Sequence, residues 1–372
     1  MAATVQQILA VVEEQAPPSL ALAWDRIGLQ IGSRNREVHT LAVALEPSVN
    51  VVSGALTAGA QMLLTHHPLL FQPLDRLDPD TPLGKVVRLA VQHDLAVAAA
   101  HTNLDVAPHG VNDYLAQVLE LENIRVLEET GRDGWLKLAV FVPLGYEDRV
   151  RQALCDDRVG VIGPYSQCSF SMRGEGTFLP EAGAHPFQGQ TGHLNRVPES
   201  RLEVLLPASR MSHVISRLRA AHPYEEPAFD LYPLSTPGLS QGLGRIGEWD
   251  PPRRFSEVLP RLKEIFHTPT IKLAGQPPAA IGTVALCGGS GGELLSLAAA
   301  RGVDLFLSGD LRYHQVAPWS SAPLAICDLG HYATEALFIP VWVQDLKVRL
   351  AAAGLEVTVI LDRWGGDPFT YV

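Results

Sequence analysis

The sequence predicts an α/β protein in which a mostly parallel sheet flanked by helices is interrupted by an inserted α+β domain of ferredoxin-like type. Three observations carry this. Short apolar strands alternate with helices between residues 40 and 119 and again between 255 and 362, the pattern of a parallel sheet wrapped by helices. Residues 131–237 break it with a β–α–β–β–α–β order, the split arrangement of ferredoxin-like domains. The length, 372 residues, exceeds the usual size of a single core. The expected organisation is therefore 1–130, an insert at 131–237, and a return to the first domain at 238–372.

Val5, Ile8, Leu9 and Val12 recur at helical spacing, and Pro17-Pro18 end that first helix. A Gly-punctuated stretch, LAWDRIGLQIGS, follows, in which Trp24 reads as a core anchor. Then come a strand at 40–45, a helix at 49–58, a strand at 61–65, a helix at 84–93, a strand at 95–100 and a helix at 111–119. His93 at a helix end reads as a partner of the dipole, and His109 as a loop residue near the site. In the insert, strands are expected at 135–143, 168–180, 200–207 and 229–235, with helices at 146–157 and 208–223. The segment EAGAHPFQGQTGHLNR is a long hairpin loop carrying His185 and His193. In HPYEEPAF the two prolines favour a rigid turn over a metal site made by His222, Glu225 and Glu226. Beyond TPGLSQGLGRIGEW lie a helix at 255–266, a strand at 281–287, a GGSGG turn and a helix at 293–300. That turn exposes backbone N–H groups as a phosphate cradle would, but it lacks the Walker and dinucleotide spacings, and a tight turn explains it equally. A strand at 303–309, a single helix at 331–350 and a strand at 355–362 close the sheet.

Against 29 Lys and Arg stand 40 Asp and Glu, a formal charge of −11. With no basic run, the chain lacks the electrostatic footprint of nucleic-acid binding. Four cysteines without CxxC spacing suit a reducing cytosol, and Cys287 and Cys327 read as small buried hydrophobes inside strands. No apolar stretch reaches membrane-spanning length, and the acidic start resembles no targeting peptide, so a cytoplasmic location is expected.

The chemistry concentrates at three strand ends. In QMLLTHHPLLF an apolar run is followed by His66 and His67 before Pro68. Neighbouring side chains on a regular strand point to opposite faces, so this pair converges only where the chain bends, at the carboxyl edge where open parallel sheets place ligands. AVAAAHTNLD sets His101 and Asp105 just past a second strand. PLAICDLGHYATEAL places His331 and Glu335 four apart on one helical face past a third. A lone histidine after a strand is ordinarily a hydrogen-bonded loop residue. The conjunction of three such ends, each with imidazole or carboxylate partners, points instead to a divalent cation such as zinc, manganese, iron or cobalt. A structural zinc finger is excluded, because no cysteine takes part.

The segments THHPLLF, AHTNLD, SGDLRYH and DLGHYATE resemble the signature motifs of the NIF3 family, the dinuclear metal-centre proteins often labelled GTP cyclohydrolase type 2 homologues. The likeness spans nearly the whole chain, except that Arg26 stands where an asparagine usually follows the Trp-Asp pair. The resemblance implies that His66, His67, Asp105, His331 and Glu335 hold two divalent ions, with His101 and His314 close by. It likewise implies that the insert is similar to small PII-like or CutA-like sensors, and that the chain assembles as a homohexamer. Two bridged cations activate water, so the expected function is a cyclohydrolase-like metal-dependent hydrolase acting on a nucleotide or other small molecule. His101 or His314 would move the protons, and Glu335, on a helix, would be the bridging carboxylate. Two alternatives remain: a non-catalytic metal scaffold or regulator with the insert as its sensor, and a phosphoesterase using the same ions.

Overall fold

The computed structural model describes residues 3–156 and 158–370, so the expected helix tail at Asp157 lies outside the described residues. The chain divides into two compact units, one of residues 1–130 with 241–372 and one of residues 131–240.

The first unit contains two mixed sheets where the sequence predicts a single mostly parallel one. The five-stranded sheet runs in the order Thr358–Leu361, Thr40–Ala44, Met62–Thr65, Ala96–Ala99 and Gly28–Ile31. Its first four strands are parallel and the last, from the Trp24 segment, is antiparallel. In the six-stranded sheet, Ala280–Ser290, Leu305–Gly309 and Ala325–Asp328 run parallel at the centre. Lys272–Ala274 pairs antiparallel on one side, and Leu239–Arg254 on the other, with Glu122–Asp133 beyond it at the edge. The alternation of strands and helices is the same for one sheet or two, which is why the sequence does not reveal the division.

Both central strand sets are covered on each face, and their sequences accordingly read as continuous apolar runs. Leu41, Val43, Met62 and Leu64 on one sheet share a core with Val284, Leu286, Leu305 and Leu307 on the other. Helices Val5–Gln15, Val111–Val118 and Ile339–Ala352 contribute to that core. The outer faces have cores of their own, around Ala42, Leu63 and Val97 and around Ala285, Phe306 and Ile326. Capping follows the sequence closely: Thr4 closes a capping box with Gln7, and Ser48 and Thr81 cap the next two helices.

Two local expectations fail for identifiable reasons. The helix expected at 331–350 is two helices, His331–Ala336 and Ile339–Ala352. Pro340 has no N–H to donate and sits in the first turn of the second, where that loss costs nothing. Trp24 is no core anchor; it is 52% exposed, and its ring lies tilted against that of Phe71 at a centroid distance of 5.6 Å.

In the second unit four antiparallel strands lie in the order Phe229–Pro233, Trp135–Pro143, Asn195–Pro207 and Ser169–Phe178. Helices Glu147–Leu154 and Met211–Ala221 pack on one face through Val150, Leu154, Val214 and Leu218. This is the ferredoxin-like order. His222 serves the turn that its flanking prolines suggest. Its ring bonds Phe141 O at 3.0 Å and accepts the Tyr224 N–H at 3.1 Å. Among the described residues, no helix is long and apolar enough to cross a membrane.

Candidate metal centre

Strand ends from both sheets meet in the first unit. Met62–Thr65 delivers His66 and His67, and Ala96–Ala99 delivers His101 at the cap of the short helix Thr102–Val106, which carries Asp105. From the second sheet, Ala325–Asp328 leads through Gly330 into the helix bearing His331 and Glu335. Glu335 Oε2 lies 2.9 Å from His67 Nε2 and 3.1 Å from His331 Nε2. Glu335 Oε1 lies 3.7 Å from His66 Nε2, and Asp105 Oδ1 lies 3.6 Å from that nitrogen. The ring of His101 is 5.2 Å from that of His66 and 5.6 Å from that of His67, centre to centre. All six side chains expected from the strand ends are therefore neighbours.

Three of these imidazoles are fixed through the nitrogen that faces away from the centre. His66 Nδ1 contacts Ala100 O, His101 Nδ1 contacts Asp25 Oδ1 and His331 Nδ1 contacts Asp310 Oδ2, each at 2.9 Å. A ligating histidine is held in this way, its outer N–H given to a carbonyl or carboxylate so that Nε2 offers a lone pair inward. Asp25 is itself locked by Thr102, through N–H at 3.0 Å and Oγ1 at 2.5 Å. Burial works to raise its pKa, but His101 and Thr102 hold it down to about 2, so it is ionised.

The inner atoms lack such partners. His66 Nε2, Asp105 Oδ1 and Glu335 Oε2 are buried without a hydrogen bond, although Glu335 Oε2 is close to two nitrogens. Buried polar atoms are ordinarily paired, so three orphans converging on one point call for a bound group. His67 Nε2 and His331 Nε2 face each other at 3.3 Å. Two ligands on a tetrahedral cation at bonds of about 2.0–2.1 Å stand about that far apart. The triads His66, His67, His101 and His67, His331, Glu335 each place their donor atoms within 4.8 Å of one another, as a cation would require. The donor set fits a divalent metal.

The electrostatics agree. Burial pulls His66 down, but Asp105 and Glu335 more than reverse this and raise it to about 9. His331 rises to about 9 against its burial through Glu335 and Asp310. Glu335 goes the other way: burial opposes its charge, yet contacts with His331, His66 and His67 hold it well below the carboxylate range. Asp105 is pushed up by burial and by repulsion from Glu335, in spite of the surrounding imidazoles.

His314 is not part of the cluster. It lies exposed on the short helix Tyr313–Val316, its ring against Tyr313 at 5.2 Å. His109 stays in an exposed turn, tied by its N–H to Asp113 at 2.7 Å. Asp25, Asp310 and Gly289 are residues that motif reading did not assign. A Cβ on Gly289 would fall 2.1 Å from Glu335 Oε1 and 3.2 Å from His331 Nε2. The glycine turn thus makes room for the acid, and the strand runs on through Ser290 in place of forming a phosphate cradle. Arg26, replacing the expected asparagine, is exposed, and its carbonyl accepts from Gln30. Beside the cluster a cleft of about 490 Å³ is lined by His67, His331, Glu46, Asp310 and Asp328.

Fold and cluster together define a chain of the NIF3 kind, and residues 3–363 match the Duf34/NIF3 (NGG1p interacting factor 3) family, to which the chain belongs. It is 38% identical to the GTP cyclohydrolase 1 type 2 homologue of Bacillus subtilis over 367 residues, covering 99% of this chain and 98% of that one. The protein of the same description from Halalkalibacterium halodurans is 36% identical with equal coverage. Among solved structures, a Bacillus cereus protein related to NIF3 superposes over the full length of both chains with a TM-score of 0.84 at 36% identity.

Proposed function

We propose that the chain is a hydrolase working through two divalent cations held by this cluster. The observation that supports the reading best is Glu335, whose oxygens face separate sets of imidazoles, Oε2 towards His67 and His331 and Oε1 towards His66. His67, His331 and one oxygen would hold the first cation. His66, His101, Asp105 and the other oxygen would hold the second, which makes Glu335 the bridge. Zinc, manganese, iron or cobalt suits these ligands. Such a cation pair would lower the pKa of a water and polarise an electrophilic carbon or phosphorus.

The chain's own side chains do the rest. Asp25 and Asp310 keep His101 and His331 in one tautomer and one orientation. With its far nitrogen held by Asp25, His101 turns Nε2 inward, where it would either ligate a cation or move a proton. Asp310, which lines the cleft behind His331, keeps that ring's Nε2 turned towards the cluster. Trp24 and Phe71 stand exposed around His101, with ring centres at 6.0 and 6.3 Å, and offer flat apolar surfaces to a planar substrate. A purine nucleotide, which the relatives' name points to in naming GTP, has that shape.

Incubating the metal-loaded protein with nucleotides, pterins and phosphoesters tests the reading, with Glu335→Ala as control. Expected are turnover of at least one ring-bearing substrate and loss of both turnover and bound metal in the variant. Protein soaked in zinc, manganese or iron that retains no ion would refute it, as would a Glu335→Ala variant with unchanged metal and turnover.

A further inference from the structure

Residues 131–240 contain a cavity of about 630 Å³, the size of a small-molecule site. Its floor is the sheet face turned away from the helices. Leu138, Val140, Leu202 and Val204 point to the helices, so by strand alternation Phe141, Glu199 and Arg201 belong to the other face. Opposite Glu199 in register is Gly174, and opposite Val197 is Gly176. These glycines make the room: a Cβ on Gly174 would meet nothing within 4 Å, and one on Gly176 would come 2.1 Å from Glu199 Oε2. The walls are Phe178 at the end of its strand, Leu179 and Phe187 from the hairpin loop and Tyr224 from the proline-flanked turn. The His185 N–H donates to Glu225 Oε1 at 3.0 Å and ties the two loops together. The Phe187 and Tyr224 rings stand 6.1 Å apart.

Glu199 is the anomaly in this apolar setting. It is only 8% exposed, and its hydrogen bond comes from the Tyr224 hydroxyl at 2.8 Å. Burial and that carboxylate hold the phenol protonated far above its usual range, so Tyr224 remains a donor. Buried Asp133 and half-buried Asp156 of this unit are matched by cations. Arg158 approaches Asp133 at 3.5 Å, and Arg210 and Arg217 approach Asp156 at 2.9 and 3.0 Å. Arg201, on the cavity floor, gives one terminal nitrogen to Glu203 at 3.0 Å while its Nε is buried without a partner, and Arg173, in register with Ser200, also reaches the lining. A carboxylate accepts about four hydrogen bonds, so the second oxygen of Glu199 has capacity to spare.

We propose that this cavity binds a compact planar molecule bearing an amidine- or guanidine-like N–H fork, which Glu199 receives while Phe178, Phe187 and Tyr224 pack against its body. Paired N–H donors match the two carboxylate oxygens in geometry and charge. Aromatic walls select a flat ring over an aliphatic chain. Glu175, Glu199, Glu225 and Glu226 outnumber Arg173 and Arg201 on the lining, so the charge balance disfavours an anionic head. The site lies within one unit and is independent of the metal-centre reading.

The experiment is calorimetric titration of the full chain with benzamidine and with benzoate, which share a ring and differ in head charge. Hydrogen exchange read by mass spectrometry locates the bound probe. Benzamidine is expected to bind in roughly the millimolar range or tighter and to slow exchange at 174–188 and 222–228, whereas benzoate does neither. Glu199→Gln should weaken benzamidine at least about tenfold. Gly174→Leu, whose Cβ would enter open space on the cavity floor, should abolish binding. The proposal is overturned if wild type does not bind benzamidine, if benzoate binds as well, or if a folded Glu199→Gln binds like wild type. Should Glu199→Gln unfold the unit, Gly174→Leu decides: retained binding overturns the proposal and lost binding supports it.

Discussion

The far nitrogens of the histidines decide what their near nitrogens can do. Asp25 accepts from Thr102 N and Oγ1 while Oδ1 orients His101, so Asp25→Asn keeps the shape but removes the charge that fixes the ring. Metal affinity should fall about 10–100-fold, the usual cost of losing such a partner, as measured by competition with a chromogenic chelator. Gly289→Ala tests the space the glycine turn leaves. Because a Cβ would lie 2.1 Å from Glu335 Oε1, metal content should drop sharply in a protein whose far-UV circular dichroism is unchanged. A normal complement of ions in that variant would mean Glu335 does not need its present position. His66, His67, His101, Asp105, His331 and Glu335 were legible in the sequence because each follows an apolar strand within a few residues. Asp25 and Gly289 were not, because their roles depend on segments 76 residues from His101 and 46 from Glu335, and no local pattern encodes such an approach.

Elements were legible where punctuation and pattern agree. Pro17-Pro18 mark the end of the first helix, and short apolar runs mark strands. The helix expected at 331–350 failed because Pro340 reads as tolerable near a helix start, and whether that start is its own depends on packing. The turn at 222–228 supports a pH prediction. The His222 Nε2–H donates to Phe141 O while Nδ1 accepts the Tyr224 N–H, a pairing only the neutral ring can make. Burial depresses its pKa, and the carbonyl only partly offsets this. A pKa lowered in the folded state contributes stability that is present above the unfolded value of about 6.5 and is lost as pH falls through the folded value. Exchange protection at 222–228, corrected for intrinsic rate, should therefore hold above neutrality and decline below pH ~6.5. A His222→Gln variant should show no such decline; if it followed the wild-type curve, another group would be responsible.

At the scale of the molecule, the βα alternation correctly gave an α/β chain with a β–α–β–β–α–β interval, but it could not separate one sheet from two, since parallel strands with helical crossovers look alike in either. That division matters for function. His66, His67 and His101 leave one sheet, and His331 with Glu335 leaves the other, so cations here would fasten two layers whose shared core is otherwise apolar. A cation bound by the folded arrangement alone stabilises it by mass action, about 2.7 kcal/mol at a free concentration a hundred times Kd. For a unit of this size each kcal/mol moves Tm by about 2–4 °C. Zinc or manganese should thus raise the melting midpoint by roughly 5–10 °C, and a chelator should reverse the shift. Protection measured by hydrogen exchange should increase at the ends of both sheets, near 62–67, 96–105 and 325–336. Peptides from 131–240 should hold their rates, because every proposed ligand lies in the other unit. A stabilisation confined to the strand ends of one sheet would show that ligands from a single layer suffice, and the bridging role of Glu335 would have to be abandoned.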